Sequence, residues 1–339
     1  LHLLLTNAEL NEILTSVAAF TFLGLVLFFA HLGERARGWR IAAYAMLAGP
    51  AGLLVLVSLA NILRLLVSGA AAFGADADPQ RLLVAFGLEV VAGVGTLVLL
   101  LAPVRRAAGR LLRRFRPDSA VHAVSLGLYW MVLLTLLSNQ ASADQLKADA
   151  TAEQSSLLIS VLILQVPMVL IAFIGVGLVA RRGLNETRIR LGLVWPGWRW
   201  VAASVGVGLA LIAFGTAWDN MMTALTPADS RAINEITSKL ILDQLNGYGG
   251  AIALALAAGI GEELLFRGAL TPPFGIVLAA LLFAALHAQY ALTLATLEIF
   301  ILGMVLGWLR NRAGTTGAII AHTVYDGVLL VAAVWYLGR

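Results

Sequence analysis

The sequence predicts an all-α polytopic membrane protein, and two observations carry that prediction. Of its 339 residues, 60% are hydrophobic and only 12% charged, with a mean hydropathy of +0.90, against about 25% charged residues in an ordinary soluble domain. Apolar tracts of about 17 residues or more recur along the whole chain, each long enough to cross a hydrocarbon core of about 30 Å as a helix. A membrane β-barrel would show short alternating segments instead.

Taken in order, the tracts give about ten transmembrane helices. They run from Ile13 to Ala30, Ile41 to Leu63, Leu82 to Ala102, Val121 to Leu137 and Leu157 to Ala180. The remainder are Val201 to Trp218, Ala251 to Phe266, Phe274 to Tyr290, Leu292 to Leu309 and Thr316 to Tyr336. Pro50 in the second and Pro167 in the fifth are expected kinks, tolerated where neighbours satisfy the freed carbonyls.

Basic residues concentrate in alternate connections. Arg35, Arg37 and Arg40 lie in the first, the run from Arg105 to Arg116 in the next of the set, then Arg181 to Arg199, Arg267, and Arg310 with Arg312. Because Lys and Arg accumulate on the cytoplasmic side, the pattern predicts an integral protein of the cytoplasmic membrane with both termini outside. The same clustering explains the pI near 9.8 through topology, so no nucleic-acid partner is expected; the lipid bilayer is. There is no cysteine, which excludes disulfides, thiolate catalysis and cysteine metal sites. No separate cleavable signal peptide is expected.

Two outer loops are longer and polar, around Asp144 to Glu153 and Asp219 to Gly250. In the second, Ile233, Ile236 and Leu240 recur at helical spacing, which predicts an amphipathic helix on the outer surface. Trp195, Trp198 and Trp200 around Pro196 read as an interfacial anchor before the sixth span. No internal repeat supports an inverted-repeat transporter.

The chemistry-bearing residues lie in the last third. Glu262, Glu263 and Arg267 sit inside an apolar helix, where a charge costs roughly 2.5 kcal/mol or more and normally faces a bundle interior or a watered cavity. Glu263 and Arg267, at i and i+4, form the favourable same-face pair, whereas Glu262 is rotated about 100° away and is available as a base. The plainer reading makes both acids a buried charge cluster with Arg267. The next tract carries Phe283 and His287 four apart; the last carries His322 and Asp326 four apart. At about 1.5 Å per residue, antiparallel spans bring Glu262, His287, His322 and Asp326 towards the middle and inner half of the membrane. Glu89, Glu298, and Asn61 with Arg64 read as interhelical hydrogen bonding or snorkelling, with Glu298 a candidate to orient one histidine ring.

These residues resemble the three ordered motifs of the CPBP family of intramembrane proteases, which includes the CAAX prenyl endopeptidases and bacterial Abi-type proteins. Glu262, Glu263 and Arg267 match EExxxR, Phe283 and His287 match FxxxH, and His322 and Asp326 match HxxxN or HxxxD. The resemblance covers roughly Trp200 to Tyr336. It implies residues 200–339 as a protease domain with a catalytic helical bundle, residues 1–199 being an N-terminal helical region of unknown role. It implies intramembrane endoproteolysis of a membrane-embedded peptide or lipidated protein, a prenylated CAAX-type substrate being one class. Glu262 would activate water with His287, while His322 and Asp326 would orient substrate or stabilise the oxyanion. A metal-free glutamate mechanism is favoured; the alternative is zinc held by Glu262, His287, His322 and Asp326, an acceptable N/O ligand set. A competing class is a proton-coupled transporter or channel using the same residues as a relay, and a third is a catalytically silent scaffold.

Overall fold

A computed structural model describes residues 7–74, 77–112, 114–142, 157–240, 245, 247–287, 290 and 292–338. Helices account for nearly all of them: α1 (Asn7–Leu32), α2 (Arg37–Ser68), α3 (Pro79–Leu99), α4 (Ala102–Leu111), α5 (Ala120–Ser142) and α6 (Leu157–Gly175). Then follow α7 (Leu184–Leu191), α8 (Trp198–Leu225), α9 (Pro227–Leu240), α10 (Gly247–Glu263), a π-helical segment (Leu264–Leu270), α11 (Thr271–Leu286) and α12 (Leu294–Leu337). Among the described residues there is no strand, only one isolated bridge between Leu178 and Arg182. The chain is an all-α polytopic membrane protein.

Seven helical runs among the described residues are long and apolar enough to cross a membrane, with Gln165–Gly175 a shorter apolar helix. The difference from about ten lies in where the chain turns. Gly247–Leu286 is a single run of 40 residues, yet the Phe266 and Phe283 rings lie 5.1 Å apart. A straight helix would separate them by roughly 25 Å. The chain therefore doubles back, and Gly275, with φ 84° and ψ 174°, supplies the turn.

The second reversal lies inside α12 at Gly314, with φ 71° and ψ 177°. It brings Glu298 Oε1 and Tyr325 Oη to 3.1 Å and 3.3 Å from where a Cβ at Gly215 would stand. The Thr315 amide donates to the Gly192 carbonyl at 3.0 Å, tying the turn to the end of α7. A side chain at Gly314 would meet a backbone conformation reserved for glycine and stand 2.8 Å from Gly192 oxygen. Gly314→Ala is expected to lower stability by about 1–3 kcal/mol, seen as an earlier thermal unfolding midpoint of the detergent-purified protein; an unchanged midpoint would refute the strain argument.

In the N-terminal half, buried Val26, Ala43, Leu47 and Val124 join α1, α2 and α5 in one apolar core. Glu89 on α3 accepts from Ser58 of α2 at 2.6 Å and from Ser138 of α5 at 3.1 Å, so this intramembrane acid ties helices together. Arg64 donates to the Ala72 carbonyl at 2.8 Å. At the α1–α2 turn, Glu34 accepts from Ser119 at 2.6 Å and from the Val121 amide at 3.1 Å. Burial opposes its ionisation, but these hydrogen bonds outweigh burial and hold its carboxyl below the usual range.

The amphipathic segment is α9. Ile236 is fully buried, and Ile233 packs with Met222 and Ala295, so its apolar face covers the bundle. Trp195 and Trp198 meet edge to face at 5.0 Å and remain largely exposed, as an interfacial anchor requires. The loop from Asp144 to Glu153 lies outside the described residues.

Candidate active site

Glu262 and Glu263 end α10, where the helix widens into the π-helical segment carrying Arg267. Such one-turn widenings recur at functional sites because they re-aim side chains without ending the helix. Small residues set the approach of the neighbouring helices. A Cβ at Gly259 would overlap Thr323 Oγ1 of α12, and one at Gly261 would overlap Gln165 Oε1 of α6.

Glu263 and Arg267 are sealed, at 0% and 1% side-chain exposure, and pair through Glu263 Oε1 and Arg267 Nη1 at 2.8 Å. The pair is close but lies off the hydrogen-bond direction, leaving Arg267 Nη1 without a hydrogen-bond partner among the described residues, and Glu263 Oε2 is likewise enclosed without one. Arg267 Nη2 donates to the Gly303 carbonyl at 3.3 Å, and its guanidinium lies 4.3 Å from the centre of the Phe283 ring, a cation–π contact. Arg267, grouped with the loop arginines on charge pattern, is instead a buried member of the site.

His322 reaches the same carboxylate from α12, with Nδ1 2.9 Å from Glu263 Oε1. Its Nε2 lies 3.3 Å from Asp326 Oδ2 and 4.0 Å from Glu262 Oε2. Carboxylate oxygens only accept when ionised, so a ring with N–H on both nitrogens satisfies both close neighbours. Glu262, at 12% side-chain exposure, and Asp326, at 23%, are the reachable acids. Gln165 Nε2 donates to Glu262 Oε1 at 3.2 Å.

His287 caps α11. Its Nδ1 lies 2.8 Å from the Phe283 carbonyl, which can only accept, so Nδ1 carries the proton and a neutral ring keeps its lone pair at Nε2. The Phe283 ring centre is 4.8 Å from His287 and 6.2 Å from His322, so both histidines surround one phenyl group. Among the described residues no carboxylate oxygen lies within 4 Å of His287; the close carboxylate contacts belong to His322.

The donor set does not fit zinc in this arrangement. His287 stands apart from the acids, and no group of three His, Asp or Glu side chains among the described residues is arranged to hold one ion. Glu298 is buried beside Gly215 and Tyr325, with neither histidine ring within ion-pair distance among the described residues. Gln165 was missed by sequence reasoning. Its signal is an amide two residues before Pro167 in an otherwise apolar tract, a pattern shared with structural polar residues such as Gln140, which donates to the Ala285 carbonyl at 3.1 Å.

A helical membrane bundle enclosing carboxylates, a guanidinium and histidines from separate helices is a functional site by its cost alone. Residues 245–328 match the family model described as Rce1-like: Type II CAAX prenyl endopeptidase Rce1-like. The match spans α10, the π-helical segment, α11 and α12 as far as Val328, and so contains all three motifs. The resemblance to the CPBP and CAAX proteases is borne out over this segment, which is about a quarter of the chain. Comparison with curated proteins gave no match, nor did comparison with solved structures.

Proposed function

We propose that the protein is an intramembrane endopeptidase that hydrolyses a peptide bond of a membrane-associated protein or peptide, with prenylated CAAX-type substrates the class favoured by the family match. The observation that carries the reading is the meeting of motifs from separate helices: Glu262 stands 4.0 Å from His322 Nε2, and His287 shares Phe283 with His322.

Glu262 is the general base. It accepts a proton from water as the water oxygen attacks the carbonyl carbon, then returns that proton to the amine nitrogen as the C–N bond breaks. The lone pair at His287 Nε2 orients the attacking water. His322 Nε2–H, which faces Asp326 Oδ2 at 3.3 Å in the free site, turns its one hydrogen to the developing oxyanion as substrate enters, while Glu263 at Nδ1 keeps the ring in place. Glu263 and Arg267 fix the backbone on which Glu262 stands, and Gln165 restrains its carboxylate. The protease region is residues 200–339, with Gln165 the contribution of the preceding helices. The arginine-rich connections face the cytoplasm, leaving both termini outside.

The test is cleavage by the purified protein, in detergent and in vesicles, of a prenylated CAAX peptide and its unprenylated counterpart, with products weighed by mass spectrometry. A new C-terminus on the prenylated peptide supports the full reading, and cleavage of both peptides keeps the endopeptidase while removing prenyl selectivity. Proton or solute flux across the vesicle without cleavage of either would replace it with a transporter.

A further inference from the structure

A cavity of about 640 Å³ opens where the ends of α1 and α6 meet the starts of α5 and α11, with α7 and the middle of α12 closing it. It lies outside the carboxylate–histidine cluster. Arg114, Arg116, Arg181, Arg182, Arg190 and Arg310 line it, against Glu34 as the one lining acid. That acid already accepts from Ser119 and Val121. None of the six arginines comes within 4 Å of a carboxylate oxygen among the described residues. Burial, then the charges of Arg182, Arg310 and Arg114, push the Arg190 guanidinium down to about 10. The fold therefore gathers six cations that repel one another around a single lining acid, Glu34.

The lining is also held in place. Arg190 Nη1 donates to the Gly268 carbonyl at 3.2 Å, and Arg182 donates to the Val176 carbonyl, which fixes two guanidinium planes. In two lining residues, Arg310 Nε and His31 Nδ1 are enclosed by protein without a hydrogen-bond partner among the described residues. His31 is 3% exposed. A positioned set of guanidinium forks suits a tetrahedral oxyanion bound through paired N–H groups. A carboxylate would use one fork; a cavity of this size with six forks suits a phosphate bearing a substituent. Basic pockets between membrane helices at the headgroup level hold such groups, and the exposed Trp195 and Trp198 follow Arg190 closely in the chain.

We propose that this cavity is a binding site for a phosphate ester, drawn either from the headgroup of an anionic phospholipid or from a soluble phosphorylated molecule. The test uses the full-length protein in phosphatidylcholine nanodiscs, titrated separately with short-chain phosphatidylglycerol, short-chain phosphatidylcholine and inorganic pyrophosphate. Saturable binding of phosphatidylglycerol but not phosphatidylcholine, undisturbed by pyrophosphate, identifies the lipid source; saturable binding of pyrophosphate alone identifies the soluble one. In either case Arg190→Gln with Arg310→Gln is expected to weaken binding about tenfold or more. Arg114→Gln with Arg181→Gln, changed at exposed side chains, should weaken it in the same direction if the first pair fails to fold. Arg35→Gln with Arg106→Gln, exposed arginines outside the cavity, should leave it unchanged. Absence of saturable binding by either probe, or equal loss in the control pair, overturns the proposal.

Discussion

Glu262→Gln is expected to slow peptide cleavage about 10²–10⁴-fold, the range a positioned general base contributes, while leaving thermal stability in detergent near that of the unchanged protein. The reason for the separation is local. Glu262 retains side-chain exposure of 12% and accepts from Gln165 at 3.2 Å, and an amide oxygen of the same size still accepts there. What the amide cannot do is take a proton from water at neutral pH. Glu263 is its neighbour in sequence and its opposite in environment, with 0% exposure and Arg267 and His322 on the same oxygen. Measuring rate and unfolding midpoint for each single variant therefore separates base from scaffold. Cleavage at an undiminished rate by Glu262→Gln would remove it as the base, whatever becomes of the family reading.

The site was legible in sequence to the extent that its residues violate the apolar rule. Glu262, Glu263 and Arg267 stand out in a membrane helix because each is costly there, and the i, i+4 spacing of Glu263 and Arg267 already implied the pair seen at 2.8 Å. His322 and Asp326 were likewise legible as neighbours on one face, and they meet at 3.3 Å. The tertiary partners were not legible. That His322 Nδ1 would face Glu263 follows from Gly259 letting α12 approach α10, a contact with no sequence-local signature. Gln165 looks like any amide tying apolar helices together. The tracts are legible as helices, and the reversal at Gly314 falls in the connection expected between Leu309 and Thr316 while that at Gly275 falls one residue past the expected start at Phe274; what the sequence hides is that each turn is a single glycine with helical hydrogen bonding resuming at once. Glycine alone tolerates those dihedrals, and its many other uses in this chain hide the two that matter.

Arg267→Met is expected to cost about 3–5 kcal/mol of stability, the penalty for leaving one charge of a buried pair unmatched, and to reduce cleavage along with it. Methionine fills much of the same volume and can lie on the Phe283 ring where the guanidinium now sits at 4.3 Å, so the loss reports charge rather than a cavity. It leaves Glu263 sealed from water with His322 Nδ1 at 2.9 Å as its remaining close partner, and Glu263 Oε2 already lacks a hydrogen-bond partner among the described residues. Adding Glu263→Gln removes the stranded charge while keeping an oxygen for the ring. The double variant is then expected to be more stable than Arg267→Met alone, with a coupling of about 0.5–3 kcal/mol between the two positions. Unfolding midpoints of the four proteins in one detergent give that coupling. Additive losses would mean that Arg267 acts through Gly303 and the phenyl rings, and the carboxylate would lose its role as the strut beneath Glu262. A recovered fold with cleavage still absent would show the opposite: His322 needs an ionised Glu263 to hold the protonation state in which it faces Asp326 and the oxyanion.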